Sequence, residues 1–132
     1  MQIALAQLSS TRDLDANLQT CRRMARRAAD GGADWVLFPE NAPFLGSDGE
    51  KAAVAEPIDG PIVDHFRDLA RQGDFWVTLG SFPERSDDPD RTYNTQVLIA
   101  PDGGVTSIYR KIHLFDVDVE GGRSFRESDH VK

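Results

Sequence analysis

Short runs of apolar residues alternate along the chain with longer segments in which apolar residues recur every three or four positions. The short runs lie at residues 2–8, 35–38 and 75–80 and are typical of buried strands. The longer segments run from 14 to 28 and from 62 to 70, with the spacing of helices that bury one face. The pattern predicts the order strand, helix, strand, helix, strand.

Cap and turn residues mark the ends of the predicted helices. Thr11–Asp13 supplies the start of the first helix, and Gly31–Gly32 ends it. Pro61 is expected at the first position of the second helix, where its missing N–H has no cost. Between the second strand and Pro61 we expect a loop of about 20 residues rich in Gly, Asp and Glu; such long loops are often functional.

The sequence of the second half of the chain predicts a β-hairpin. The strands Thr92–Ala100 and Val105–Arg110 flank the turn sequence Pro-Asp-Gly-Gly. Residues 82–91 are expected to be a polar loop, and residues 116–132 an acidic loop without periodic structure. Helices that alternate with short strands, followed by a hairpin, predict an α/β fold with a mixed sheet.

Composition narrows the class of protein. The 132 residues are 39% hydrophobic and 28% charged, which is typical of one soluble globular domain. The net charge of -7 and a pI of about 4.8 disfavour nucleic acid or an anionic membrane as a partner. A single cysteine excludes an intramolecular disulfide, and no Cys/His spacing suggests a metal site. The sequence has no apolar run of membrane length and no signal peptide, so we expect a cytoplasmic protein.

Two charged residues at predicted strand ends are candidates for chemistry. Glu40 follows the second strand in the sequence F-P-E, and α/β folds commonly carry their sites at such strand ends. Lys111 follows the second hairpin strand. Taken singly, each has an ordinary interpretation, because a glutamate after a strand is usually solvated and a lysine there usually protects a sheet edge.

Taken together, these segments resemble the nitrilase superfamily of carbon–nitrogen hydrolases. The resemblance rests on G-A-D-W-V-L-F-P-E at residues 32–40 and on R-K-x-H-L-F, whose lysine follows Glu40 by 71 positions (111 − 40). The opening I-A-L-A-Q, the pair Tyr93-Asn94 and the D-G-G turn also match. The family fold implies that residues 1–132 are the N-terminal portion of a single domain: half of a four-layer α-β-β-α sandwich, with a mixed sheet and helices on one face.

The resemblance also implies a mechanism. A cysteine thiolate attacks the amide carbon and forms a thioester, with Glu40 as general base and Lys111 stabilising the oxyanion. In this family the nucleophilic cysteine follows the lysine at an interval that ends beyond Lys132. A second glutamate assists in several members; Glu127 is the expected residue, and Glu120 is the competitor.

The remaining reactive side chains are expected to be structural. Cys21 occupies an apolar position of the first helix and is predicted to be a core residue instead of the nucleophile. His113 belongs to the lysine motif and is expected to pack or hydrogen-bond behind Lys111. His65 and His130 are expected on the surface.

Within the family, the combined motifs are most similar to the amidases of deaminated glutathione, and next to omega-amidases. This similarity implies a small-molecule amide substrate, no metal or organic cofactor, and a homodimer or higher oligomer. No glycine-rich phosphate-binding motif supports a nucleotide site. The alternative interpretation is a non-catalytic, half-length relative that acts as a binding or assembly module.

Overall fold

A computed structural model describes residues 1–122 and 124–132. The helices are α1 (Leu14–Asp30), α2 (Asp48–Ala53) and α3 (Pro61–Gly73). The strands are β1 (Ile3–Leu5), β2 (Trp35–Leu37), β3 (Trp76–Arg85), β4 (Thr92–Ile99), β5 (Val105–Arg110), β6 (Asp116–Val117) and β7 (Phe125–Arg126). A single 3-10 turn follows at Glu127–Asp129. The predicted alternation of strands and helices, followed by a hairpin, is confirmed.

Strands β1 to β5 form one mixed sheet in which each strand lies beside its neighbour in sequence. β1, β2 and β3 are parallel, since helical connections carry the chain back between them. β3, β4 and β5 are antiparallel. In the β4–β5 turn the Ala100 N–H donates to the Gly104 carbonyl at 2.8 Å, and Gly103 adopts a φ of 84° that favours glycine.

Helices α1 and α3 cover one face of this sheet. Val36, Val77 and Ile99 lie side by side on neighbouring strands and are buried in the core. Phe66 of α3 and Cys21 of α1 belong to the same apolar cluster. The α/β class, the helices on one face and the core position of Cys21 are confirmed. None of the described helices is both long and apolar enough to cross a bilayer.

The opposite face of the sheet is open to solvent over the described part of the chain. Leu5 is 78% exposed and Trp76 is 38% exposed, although both are large apolar residues in strands. On this face the indole N–H of Trp35 donates to the Thr78 hydroxyl at 2.9 Å. One helix layer and one sheet, two of the four layers of the expected sandwich, are therefore present.

Strand β3 is longer than expected, and the prediction of a polar loop from residue 82 was wrong. The strand continues through Arg85 and pairs with β4 beyond a register shift. Glu84, which has the sequence character of a loop residue, is only 4% exposed. Its carboxylate is compatible with burial because Arg110 and Thr95, both distant in sequence, donate hydrogen bonds to it.

The loop expected after β2 contains a helix. α2 begins after Ser47, whose N–H donates a hydrogen bond to the Glu50 side chain at 2.7 Å. This contact is half of a capping box, and its S-x-x-E signature is present in the sequence. The signal was missed because the helix has only six residues and no buried ones.

The C-terminal stretch, expected to lack periodic structure, is also ordered by pairing. β6 and β7 form a short antiparallel ribbon. The Thr92 N–H donates to the His130 carbonyl at 3.0 Å, and the Lys132 N–H donates to the Thr92 carbonyl at 2.9 Å. These contacts attach the end of the chain to β4 and fix the 3-10 turn that carries Glu127.

Candidate active site

Glu40 is positioned by a close approach between the segment after β2 and strand β3. The Phe38 N–H donates to the Thr78 carbonyl at 2.9 Å, which extends the pairing beyond β2. Opposite this segment, a Cβ added to Gly80 would lie 2.2 Å from the Phe38 carbonyl oxygen and 2.5 Å from that of Pro39. Only glycine fits there without displacing the backbone that leads into Glu40.

The chain turns sharply directly after Glu40. Asn41 has a φ of 55°, in the left-handed region that asparagine tolerates better than most residues. Its N–H donates to the Ser81 hydroxyl at 2.8 Å, and Ser81 is 3% exposed. The bulged part of β3 thus supplies both the space and the hydrogen bond that hold the Glu40 backbone.

Lys111 follows β5 and lies between two carboxylates. Its N–H donates to the Asn94 carbonyl at 2.9 Å, which continues the β4–β5 pairing by one residue. Its ammonium Nζ lies 3.4 Å from Glu40 Oε1 and 3.0 Å from Glu127 Oε2. The side chains differ in exposure: 55% for Glu40, 27% for Lys111 and 11% for Glu127. The three expected site residues therefore meet at one place.

Glu127 and Lys111 stabilise each other's charged forms. Burial acts to raise the pKa of Glu127, but the Phe115 N–H and the Lys111 ammonium outweigh it and hold that pKa below its ordinary value. Burial likewise acts to lower the pKa of Lys111, and the two carboxylates outweigh it and raise that pKa. Lys111 is accordingly a cation, and Glu127 an anion, at neutral pH.

Asn94 is a site residue whose contact the sequence did not reveal. Its side-chain Nδ2 donates to Glu40 Oε1 at 2.7 Å. In the sequence Asn94 was noted only as part of the Tyr93-Asn94 pair that matches the family. The available signal was its place directly opposite Lys111 in the predicted hairpin, but its distance to Glu40, 54 positions away, depends on the tertiary fold.

The charged groups border a cavity of about 210 Å³ on the open face of the sheet. Its lining includes Glu40, Gly80, Asn94, Tyr109 and Lys111. A carboxylate, an amide donor and a cation therefore converge on a space that is accessible from solvent. Such a combination can accept a proton and stabilise developing negative charge on one bound group. No group of three or more potential metal ligands was found in residues 1–122 and 124–132.

The other candidates lie elsewhere. Glu120, the competitor of Glu127, is exposed in the connection between β6 and β7. His130 is on the surface, as expected. His113 is exposed instead of packed behind Lys111, so that expectation was wrong. His65 was also predicted wrongly: it is half-buried, packs edge-on against Phe66, and burial lowers its pKa.

Cys21 has the environment of a structural thiol. It is fully buried in α1, and burial raises its pKa to about 12. A thiol becomes nucleophilic only as the thiolate, so this environment keeps Cys21 inert. It is the single cysteine of the sequence.

The fold is that of the nitrilase superfamily. The crystal structure of the Caenorhabditis elegans NitFhit protein superimposes with a TM-score of 0.87 at 31% identity, over 98% of this chain and 32% of that one. A glutamine-for-glutamate, alanine-for-cysteine double mutant of an amidase from Nesterenkonia sp. AN1, solved in complex with acrylamide, gives a TM-score of 0.74 at 26% identity. That match covers 87% of this chain and 44% of the amidase.

Sequence comparison identifies the family. The carbon-nitrogen hydrolase family model matches residues 2–132, and the chain belongs to that family. The deaminated glutathione amidase of Bos taurus is 37% identical over 131 residues. This alignment includes 96% of the chain, which spans about 40% of the length of that relative.

Proposed function

We propose that the protein hydrolyses the carbon–nitrogen bond of a small-molecule amide, with residues 1–132 as the N-terminal portion of the catalytic domain. In this proposal Glu40, Lys111 and Glu127 act together with a cysteine nucleophile located outside these residues. The observation that carries the proposal is the ammonium of Lys111, which lies 3.4 Å from Glu40 and 3.0 Å from Glu127 beside an accessible cavity. Family membership and the names of the relatives support it.

Glu40 is the general base of the proposed reaction. Its Oε1 receives hydrogen bonds from Asn94 and Lys111, which leaves Oε2 as the oxygen that takes up a proton. It first accepts the thiol proton as sulfur attacks the amide carbon, and passes that proton to the leaving amine. In the second half it accepts a proton from the water that attacks the thioester and returns it to the sulfur as the C–S bond breaks, which releases the acid product and regenerates the thiol. Its partial exposure suits this exchange with substrate and water.

Lys111 stabilises the oxyanion that forms when sulfur attacks the carbonyl. A fixed positive charge next to the developing negative charge is worth more in a site with little water than in bulk solvent. Glu127 is largely buried and keeps the ammonium charged and oriented toward Glu40. We assign Glu127 a supporting role and leave the direct contact with the reacting atoms to Glu40 and Lys111.

The substrate we propose is deaminated glutathione, with omega-amides as the second choice. The named relatives at 37% identity support the first assignment. The acrylamide complex of the Nesterenkonia amidase supports a small amide in general. The proposal includes a cytoplasmic homodimer or higher oligomer.

The function is tested with the Glu40→Gln variant of the complete gene product. Glutamine keeps the size of the side chain but cannot accept the proton, so we expect kcat/KM for an amide to fall by about 10²–10⁴-fold. The matched control is Glu120→Gln, which makes the same change at an exposed position and should retain turnover. Amide hydrolysis by the Glu40→Gln variant at the wild-type rate contradicts the assigned role.

A second measurement separates an enzyme from a non-catalytic module. Incubation of the complete gene product with a slowly hydrolysed amide should leave a thioester adduct, and peptide mass mapping should locate it on a cysteine outside residues 1–132. An adduct on Cys21 contradicts the proposal. A product without any further cysteine and without turnover favours the binding or assembly module.

A further inference from the structure

We infer that Asn94 is a positioning residue that sets the orientation of Glu40; this rests on the proposed role of Glu40 as the base. Glu40 is more than half exposed, and a glutamate side chain with that freedom samples several rotamers. The Asn94 Nδ2, 2.7 Å from Glu40 Oε1, is the shorter of the two contacts that Oε1 makes with Asn94 and Lys111. Asn94 therefore restricts the base more tightly than the lysine does.

The backbone of Asn94 is fixed on both sides. Asn94 pairs with Pro83 of β3, and its carbonyl accepts the Lys111 N–H at 2.9 Å. It belongs to a central strand of the sheet, where backbone movement is restricted by neighbours on each side. One residue thus holds the base through its side chain and the cation through its main chain. Asn94 alone therefore sets the distance between the Glu40 side chain and Lys111.

The positioning role of Asn94 requires a side-chain amide at this position. The side-chain amide of Asn94 donates a hydrogen bond to the Glu40 carboxylate. An aspartate in the same place would present a second carboxylate to Glu40, and the two groups would repel each other instead of forming that hydrogen bond. The Asn94 side chain also helps to lower the pKa of Glu127, so its donor capacity acts on both carboxylates around Lys111.

Substitution of the side chain leaves the strand pairing in place, so the role can be tested separately from folding. The experiment compares the complete wild-type protein with Asn94→Ala and Asn94→Asp. The readouts are kcat and KM measured separately, and the orientation of the Glu40 side chain in crystal structures of the variants. Leu98→Ala is the matched control, because Leu98 lies on the same face of β4 outside the cavity lining.

Loss of the donor in Asn94→Ala should lower kcat/KM by about 10- to 100-fold, the value of a hydrogen bond to a charged group. The loss should fall on kcat more than on KM, and the Glu40 carboxylate should leave its wild-type position in the crystal. Asn94→Asp should displace it further through charge repulsion. Leu98→Ala should retain both kcat and the position of Glu40. Asn94→Ser replaces Asn94→Asp if the latter does not fold, with a smaller loss of kcat expected.

An unchanged position of Glu40 in the Asn94 variants overturns the inference, even if activity is lost. The failure of the proposed function has a different signature. In that case the wild-type protein hydrolyses no amide, while the crystal structures still report whether Asn94 sets the orientation of Glu40.

Discussion

Two adjacent cations at the end of β5, Arg110 and Lys111, differ in how they contact their carboxylate partners. Arg110 binds Glu84 through two hydrogen bonds, from Nε at 2.8 Å and from Nη2 at 2.6 Å. The Thr95 hydroxyl donates to the same carboxylate at 2.6 Å, and the guanidinium lies 4.2 Å from the centre of the Tyr93 ring. Glu84 has both oxygens occupied and its side chain is 5% exposed. This pair is closed to substrate.

The next residue, Lys111, projects to the other side of the strand and divides its charge between two carboxylates. Its contacts with Glu40 and Glu127 are longer, and Glu40 remains 55% exposed. At the Arg110 pair, both carboxylate oxygens of Glu84 accept hydrogen bonds. At Lys111, one carboxylate oxygen of Glu40 is left without a donor among the described residues, and it faces a cavity together with the ammonium. Full hydrogen bonding and burial mark a charge pair that supports the fold, whereas accessible, partly hydrogen-bonded groups are suited to chemistry.

The largest difference between the two charge clusters is expected for Gly80→Ala. The added Cβ would overlap the Phe38 and Pro39 carbonyls and displace the backbone before Glu40. We expect kcat/KM to fall by about 100-fold, because misplacement of a catalytic group by about 1 Å has this consequence. Stability should fall by about 1–3 kcal/mol through overpacking. The Arg110–Glu84 pair should be unaffected.

Gly49→Ala is the control for that variant. Gly49 lies in α2, and an added Cβ meets nothing within 4 Å. The unfolding free energy of Gly49→Ala should be unchanged or raised by about 0.5–1 kcal/mol, since alanine is the better helix former. Equal losses of turnover in the two glycine variants would contradict the role assigned to the close approach at Gly80.

The next-largest effect is expected on the stability that the Arg110–Glu84 pair contributes. Glu84→Ala removes the partner of Arg110 and leaves the Thr95 hydroxyl, which is fully buried, without its acceptor. Removal of one partner of a fully buried pair costs about 3–5 kcal/mol, and the partial exposure of Arg110 reduces our expectation to about 2 kcal/mol. Denaturant unfolding measures this loss of stability. At temperatures where the variant is folded, kcat/KM should stay within about threefold of wild type.

The smallest effect is the pH dependence of stability contributed by Glu127. Its pKa is lowered in the folded state, so its contribution is present above its ordinary pKa of about 4.5 and is lost as pH falls through the folded value. The unfolding free energy of wild type should therefore exceed that of Glu127→Gln by about 1 kcal/mol at neutral pH and converge with it on acidification.

Glu120→Gln is the matched control for this titration, because it makes the same change at an exposed position. Its curve of unfolding free energy against pH should follow wild type. A difference between wild type and Glu127→Gln that persists unchanged down to acidic pH would show that the Glu127 carboxylate does not carry the effect.

Local patterns predicted most of the fold. The spacing of apolar residues identified α1, α3 and the three parallel strands, and the Pro-Asp-Gly-Gly sequence identified the β4–β5 hairpin. Each of these signals is contained within a few residues. The extension of β3 depends on Glu84, whose partner Arg110 lies 26 positions away, so the local sequence resembled a polar loop.

The candidate site was predicted by resemblance more than by pattern. Glu40 and Lys111 were chosen because their motifs match a family, and the sequence alone gave each of them an ordinary interpretation. Asn94 was missed as a partner of Glu40 because a contact over 54 positions has no local signature. His65 was wrongly expected on the surface, since helical periodicity does not show that α1 packs against that side of α3.

We propose that Lys111 belongs to the catalytic site whereas its neighbour Arg110 supports the fold. Parallel measurement of kcat/KM and unfolding free energy for Lys111→Ala and Arg110→Ala separates the two roles. We predict that Lys111→Ala loses at least about 100-fold in kcat/KM with a small change in stability, because it removes the charge that stabilises the oxyanion. Arg110→Ala should lose about 2 kcal/mol of stability and retain turnover while folded. Equal losses of turnover in the two variants, at equal stability, would contradict the account.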